Sequence, residues 1–464
     1  MKRLNLAIVL LLLGSTSINA QEGLGLLEIY DLALINDPVI REAEANFLAT
    51  SEVRKQARSS LLPSLSLTGG KRDATSTADR PTDFITGVPN PLILNTETDS
   101  DATSVSLSLN QTVFDWGQYL SLKQADKTIA RAEIDLATTQ QDLIIRVAST
   151  YFNVLAAEDL LAADIAAREA LEQQFEQTER RYDVGQIAIM SVQEARAGRD
   201  RAVAAVIGSE RTLATAQESL REIVNEYVTD LQSPIEELPL LTPDPADVDT
   251  WVEMSQGQNL SLVASRIVAD IAQDDIQIAR SARFPTLSLS ASGDDQSGTS
   301  TRIVNTVDGS VPPGSGISQP FGSDGTTVTL GLSLPIFSGG MNRSRIQQSV
   351  YQHRAALETV ERITRQTERL TRDAYLGVTS EISRVEALRQ ALESSQLALV
   401  ATTAGEEVGQ RTGVDVVNAQ NDVRQAETSY ATARYEYLLN ILRLKQAVGS
   451  LSAEDLAEID GWLE

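Results

Sequence analysis

The sequence predicts a mainly α chain with long coiled-coil helices and a smaller share of β-strand, laid out as two tandem repeats. The first observation is a heptad. Val416, Val423, Tyr430, Tyr437 and Leu444 recur every seventh residue, and Ala419, Ala426, Ala433, Asn440 and Ala447 form a second row offset by three. Seven residues in two turns is about 3.5 per turn, the period of helices that wind around one another. The second observation is another copy of the same pattern. Val192, Arg199, Val206, Leu213, Leu220 and Tyr227 form one row, with Ala195, Ala202, Ser209, Ala216 and Ile223 beside it. Val184-Gly185-Gln186 precedes this copy and Val408-Gly409-Gln410 precedes the other, 224 residues apart (408 − 184), near half of the 464-residue chain. A repeat of that size sets the architecture. The third observation is four short stretches where apolar and small polar residues alternate, a period that only a strand uses.

In order along the chain, residues 1–20 read as a secretory signal. Lys2 and Arg3 give the basic start, residues 4–13 the apolar run and Ser17-Ile18-Asn19-Ala20 the cleavage site. The run is too short to span a bilayer as a helix. The first repeat, 21–240, is expected to hold a helix over 37–61, a strand pair within 63–114, a long helix over 118–183 and a helix over 188–227. The second, 241–464, is expected to hold a helix over 259–283, a strand pair over 285–337, a long helix over 342–407, a helix over 412–448 and a C-terminal equatorial segment. Pro63 and Pro285 stop the helices before the strands, since proline lacks the N–H that a helix needs. The Val-Gly-Gln breaks fall at the helical turns, where glycine relieves the steric cost of leaving helical geometry.

The strands carry the membrane argument. Leu65 and Leu67, Leu107 and Leu109, Leu287 and Leu289, and Leu330 and Leu332 alternate with serine, threonine or glycine. An exported chain with a wet face and a leucine face fits a membrane β-barrel, leucines towards lipid. Four strands cannot close a barrel, and open edges are not tolerated in lipid, so several chains must pool their strands.

Composition narrows the function. A formal charge of −25 argues against nucleic acid, which needs a positive footprint. There is no cysteine, which excludes disulfides and thiolate metal sites. The single histidine, His353, sits in a helical run without companion ligands or a nucleophile, and no phosphate loop is present. No enzyme, cofactor or metal site is expected. The many carboxylates read as solvated helix faces.

Several strings, in this order and duplicated, resemble the TolC family of Gram-negative outer-membrane exit ducts. They are Leu61-Leu62-Pro63-Ser64-Leu65, Ala148-Ser149-Thr150-Tyr151-Phe152, Arg181-Tyr182-Asp183-Val184-Gly185, Phe284-Pro285-Thr286-Leu287, Leu334-Pro335-Ile336-Phe337-Ser338-Gly339-Gly340 and Ala433-Arg434-Tyr435-Glu436-Tyr437. The resemblance implies a homotrimer with a shared twelve-stranded barrel in the outer membrane and a helical tunnel extending through the periplasm. It implies export of drugs, small molecules or proteins, taken from an inner-membrane transporter of RND, ABC or MFS type through a periplasmic adaptor. Arg411, Asp415 and Asn418 match the family's entrance positions, Asn418 standing where the family carries a second aspartate. Met190-Ser191 and Glu406 depart from the threonine–aspartate pair and the tyrosine that help latch the entrance in the family. Three copies of Asp415 are expected to form an acidic ring whose mutual repulsion raises the carboxylate pKa. Arg411 is expected to pair with Asp415 along its own helix or with Asp183 or Glu194 on the neighbouring coil. Val184, Gly185, Gln186, Val408, Gly409 and Gln410 are the expected adaptor-docking tips. The alternative reading is a periplasmic adaptor, which would carry one helical hairpin between small β modules.

Overall fold

The structure is a computed structural model that describes residues 23–81, 93–228, 230–235, 237–306 and 316–464. The expected signal lies outside the described residues, as do 82–92 and 307–315 within the loops expected between paired strands. In chain order come α1 (Leu26–Asn36), α2 (Pro38–Ser51), α3 (Val53–Ser59), β1 (Ser64–Pro81), β2 (Ile93–Phe114), α4 (Trp116–Asp183), α5 (Ile189–Val224), α6 (Val248–Gln258) and α7 (Leu260–Ser281). Then follow β3 (Thr286–Thr306), β4 (Ile317–Ser333), α8 (Met341–Glu407), α9 (Gly413–Val448) and α10 (Ala453–Asp460). α4 has 68 residues and α8 has 67, so each runs about 100 Å at ~1.5 Å per residue.

The heptad rows become buried seams. In α9, Val416, Val423, Tyr437 and Leu444 are buried; in α5, Val192, Val206 and Leu220 are, together with Ala195, Ala202 and Ser209 of the offset row. Tyr227, the last expected member of its row, lies beyond the end of α5, which Asn225 closes in the left-handed region at φ 59°.

Two elements depart from the expected layout. The helix expected near 37–61 is preceded by α1, and Asp37 stands at the break with Pro38 as the first residue of α2. Proline suits that position because its missing N–H has no partner there anyway. Asp37 caps the new helix by accepting from Val39 N–H at 3.0 Å and pairs with the Arg146 guanidinium of α4. The segment before residue 259 holds α6, started by Asp247, which accepts from Thr250 N–H at 3.0 Å.

The chain divides into two compact units. One comprises the residues up to Phe47, Ala132–Arg266 and Thr359–Glu464; the other comprises Leu48–Arg131 and Ile267–Glu358. Each sequence repeat therefore contributes to both. The first unit holds the main hydrophobic core, in which Tyr151, Phe152, Leu143, Tyr437, Leu438 and Leu442 of α4 and α9 meet Leu26 and Ile29 of α1 and Leu456 of α10. Connecting segments complete it. Tyr151 OH donates to Gln232 C=O at 2.7 Å, Tyr437 OH accepts from Leu241 N–H at 2.7 Å, and the Arg434 guanidinium donates to the Pro234 and Ile235 carbonyls. Such bonds let irregular backbone stay beside an apolar core without orphaned polar groups.

The second unit holds an antiparallel sheet in the order β1-β2-β3-β4. Leu65 pairs with Leu109 and Leu67 with Leu107. Leu109 pairs with Ala291, and Leu289 and Leu287 pair with Leu330 and Leu332. Side chains alternate with period two, so this register puts all eight leucines on one face. The strands run 17 to 22 residues, well past the leucine stretches. Among the described residues no helix is long and apolar enough to cross a membrane.

Candidate functional site: the hairpin tips and the leucine face

The two Val-Gly-Gln turns have the same construction. At the end of α4, Gly185 N–H donates to Tyr182 C=O at 2.8 Å and Gln186 N–H to Arg181 C=O at 2.9 Å. At the end of α8, Gly409 N–H donates to Glu406 C=O at 3.0 Å and Gln410 N–H to Gly405 C=O at 2.8 Å. Both are Schellman closures, with the glycine at φ +75°, a left-handed conformation that strains any residue with a side chain. Val184 and Val408, each 69% exposed, project from these turns beside exposed Gln186 and Gln410. The residues expected as tips are thus brought to two equivalent, apolar, exposed corners.

The helices that return from the turns begin differently. α9 starts with a capping box: Asp415 N–H donates to Thr412 Oγ1 at 3.3 Å, and the Asp415 carboxylate accepts from Thr412 N–H at 2.8 Å. This satisfies two N–H groups that a helix start otherwise leaves without partners. Ala188, just before α5, offers no side-chain cap, and Met190 is exposed.

One expectation about the entrance residues, the ion pairing of Arg411, is corrected at this point. Within the chain, the backbone and hydroxyl of Thr412, and then the Arg411 charge, hold the Asp415 carboxyl below the usual carboxylate range. Within one chain, hydrogen bonds to the charged form dominate; the rise expected of an acidic ring comes from repulsion between copies. Arg411 makes no ion pair with Asp415, Asp183 or Glu194 among the described residues. Its N–H donates to Gly405 C=O at 3.1 Å, and its side-chain stem lies against Gly405, where a Cβ would come within 3.0 Å of Arg411 Cγ. Asn418 is exposed on α9.

The charged link between the hairpins lies elsewhere. Arg181 Nη1, in the last turn of α4, meets Glu406 Oε1, in the last turn of α8, at 2.6 Å, with side chains 29% and 14% exposed. Further along the coils, Arg424 Nη1 of α9 pairs at 3.2 Å with Asp164 of α4, whose side chain is 5% exposed. Between these two pairs sits a small apolar cluster of Leu171, Ala202 and Val417. Sequence reasoning singled out Glu406 only as a departure and did not find its partner. The pairs span 225 and 260 residues, and no local pattern joins them.

On the sheet, Leu65, Leu67, Leu107, Leu330 and Leu332 are exposed and Leu109, Leu287 and Leu289 are half-buried, all on the same face. Phe114 joins them after a bulge and pairs with Leu287. From Val105 to Phe114 the apolar part of β2 runs nine steps, about 30 Å at ~3.3 Å per residue; tilted by about 40° it stands roughly 23 Å high, close to the ~25 Å apolar band of an outer-membrane barrel. The opposite face carries Ser64, Ser66, Ser106, Ser108, Ser288 and Thr329.

The sequence profile of the outer membrane efflux protein family matches residues 29–226 and again 251–450. The chain belongs to that family. Outer membrane protein TolC of Escherichia coli strain K12 is 34% identical, covering 100% of the chain and 89% of that relative. Alkaline protease secretion protein AprF of Pseudomonas aeruginosa is 26% identical, over 93% of the chain and 86% of the relative. Among solved structures, the Campylobacter jejuni CmeC outer membrane channel superposes with a TM-score of 0.71 at 16% identity, covering 100% of the chain and 98% of CmeC. The Vibrio cholerae outer membrane protein VceC gives 0.67 at 18% identity, over 91% and 96%. These two establish the fold. Membership in the outer membrane efflux family places the chain in the outer membrane, and two helical hairpins with a four-stranded sheet replace the single hairpin of the adaptor alternative.

Proposed function

We propose that the chain is one third of a passive exit duct, three copies closing a twelve-stranded barrel in the outer membrane. The observation that carries this is the sheet: eight leucines face one way, and the outer edges of β1 and β4 have no strand beside them in the order β1-β2-β3-β4. An open edge in lipid leaves backbone N–H and C=O groups unpaired at several kcal/mol each, so closure by further copies is required. Twelve strands then need three chains.

In this reading the Val184–Gln186 and Val408–Gln410 corners dock a periplasmic adaptor, which connects the duct to an inner-membrane transporter of RND, ABC or MFS type. Drugs, small molecules or proteins pass through. Asp415 and Asn418 line the entrance. The two hairpins of each chain are held together near their tips by Arg181 and Glu406, and that pair takes the place of the threonine–aspartate pair and the tyrosine from which Met190, Ser191 and Glu406 depart. Parting the hairpins opens the duct, and no chemistry is performed on the cargo.

The test uses the full chain in outer-membrane fractions. A band that runs as a trimer in detergent and collapses to the monomer on boiling is expected. Single cysteines at Gln186 or Gln410, in a chain that has none of its own, are expected to crosslink to the adaptor's hairpin tip. Crosslinking through Trp116 or Gly340 instead would reverse the assignment, and a monomer in native membranes would remove it.

A further inference from the structure

The sheet sorts its charges between its two faces. On the leucine face, beyond the apolar band, stand Asp73 opposite Asp101, Asp295 opposite Asp324, and Asp99 opposite Thr75. The serine face is different. Among the described side chains its charged residues are Arg72, Asp294 and Arg302, so its balance is one positive charge per chain.

Register places these three in order. Arg72 pairs with Ala102, Ala102 with Gly298, and Gly298 with Phe321, forming one row across all four strands. Arg302 lies four residues further along β3, opposite Thr98 and Ile317. Asp294 lies four residues the other way, opposite Ser106 and Gly325, towards the leucine band. Four strand residues span about 13 Å at ~3.3 Å each. The two arginine rows therefore lie farther from the leucine band than the aspartate, and both side chains are exposed. Neither arginine has a carboxylate partner among the described residues. The backbone under the first row is tightly set. A Cβ on Gly298 would stand 2.0 Å from Asp101 O and 2.9 Å from Phe321 Cζ, so only glycine fits and the phenyl ring lies against it. An aromatic ring covering a strand glycine pins local register.

We propose that Arg72 and Arg302 form an anion-favouring filter in the part of the pore beyond the membrane band, at the exit. The inference rests on the barrel reading, in which the leucine face meets lipid and the serine face lines the lumen. Three copies then give six arginines and three aspartates on the lumen wall. Acidic residues of the outer face are separated from the lumen by the sheet itself. The filter favours anions and anionic groups of exported molecules, and acts as a field, because a Debye length of about 10 Å at 0.1 M salt is comparable to the row spacing. Charged rings lining a pore set selectivity in this way.

The experiment measures reversal potentials of the full-length protein in planar bilayers under a KCl gradient at low salt. The double variant Arg72→Gln with Arg302→Gln is expected to raise the cation-to-anion permeability ratio about twofold or more at ~0.01 M salt, where screening is weak. The contrasting variant Asp73→Asn with Asp101→Asn, on the opposite face, is expected to move the ratio much less. An unchanged potential in the arginine variant, or an equal shift in the aspartate variant, overturns the filter while leaving the channel reading intact. Wild-type protein that forms no pores overturns the channel reading itself. If the double variant does not assemble, Arg302→Cys serves: a positively charged thiosulfonate added to the open pore returns the wild-type potential, and a negatively charged one moves it further towards cations. No response to either reagent overturns the assignment of Arg302 to the lumen.

Discussion

Breaking the link between Arg181 and Glu406 is expected to shift the duct towards its open state. The pair is made at 2.6 Å between side chains 29% and 14% exposed, so it lies between a surface ion pair and a buried one. Two unit charges about 4 Å apart attract by roughly 4 kcal/mol at an effective dielectric constant near 20, before the desolvation cost is subtracted. Exposed pairs retain about 0–1 kcal/mol, and removing one partner of a fully buried pair costs about 3–5. A net coupling of about 1–2 kcal/mol per chain follows, equivalent to a five- to thirtyfold change in the ratio of parted to closed hairpins. The assay is channel recording in planar bilayers for Arg181→Ala, Glu406→Gln, both together, and the exchanged pair Arg181→Glu with Glu406→Arg. Each single change should raise open occupancy by that factor, the double should add little to either, and the exchange should recover part of the closure. Strict additivity of the two single effects, or no change in any variant, would refute the link.

Leu107→Arg puts a cation on the lipid side at about 2–4 kcal/mol per chain and should lower trimer yield in outer-membrane fractions, whereas Ser106→Arg should assemble and narrow the pore; equal tolerance at both positions would mean the faces are misassigned. Because the capped Asp415 carboxyl titrates below its unfolded value, its contribution to the start of α9 is present above the unfolded pKa of about 3.9 and is lost as pH falls through the folded value. Amide protection at Val416 should therefore be level from neutral pH down to about 5 and drop below about 4, while the uncapped start of α5 shows no such step; loss of protection on raising the pH would contradict the sign. Asp415→Ala should weaken cation preference and block by multivalent cations, and an unaltered preference would take Asp415 out of the entrance.

How much of this was legible in the chain depended on whether the physics was local. The heptad rows of α5 and α9 were, because burial on one side of a coil imposes a period, and Val206, Leu220, Val423 and Leu444 are buried as that period requires. The leucine face was legible because an apolar face backed by a small polar one imposes period two. That contrast vanishes where both faces are polar. The outer parts of β1 and β2, such as Lys71–Asp73 and Glu97–Asp101, are polar on both faces, so the strands read as short alternations followed by loop. α1 was missed for a related reason. Its eleven residues hold Leu26, Ile29, Tyr30 and Ala33 against the core, but exposed Leu34 and Ile35 dilute the stripe. The pairs Arg181–Glu406 and Asp164–Arg424 join residues that only the folded chain brings together.

The unequal cohesion of the first unit gives a physical reason for placing the moving part at the tips. Where α4 and α9 meet α1 and α10, large side chains interlock: Tyr151, Phe152, Tyr437 and Leu442 are almost wholly buried, and removing one such aromatic typically costs about 3–5 kcal/mol. Burial of this kind is non-directional and survives small displacements, so that region resists parting from any side. Towards the tips the shared apolar cluster shrinks to Leu171, Ala202 and Val417, beside a cavity of about 210 Å³ lined by Gly198, Ala205 and the Asp164–Arg424 pair. Small side chains bring the helices close but bury little area, and ion pairs lose most of their value once water reaches them. Segments with few buried apolar contacts open at the lowest free energy, and moving elements are drawn from them. A docking partner that wets or competes for Arg181 and Glu406 therefore has only a thin apolar seam left to separate, while the aromatic core holds α4 and α9 together farther from the tips.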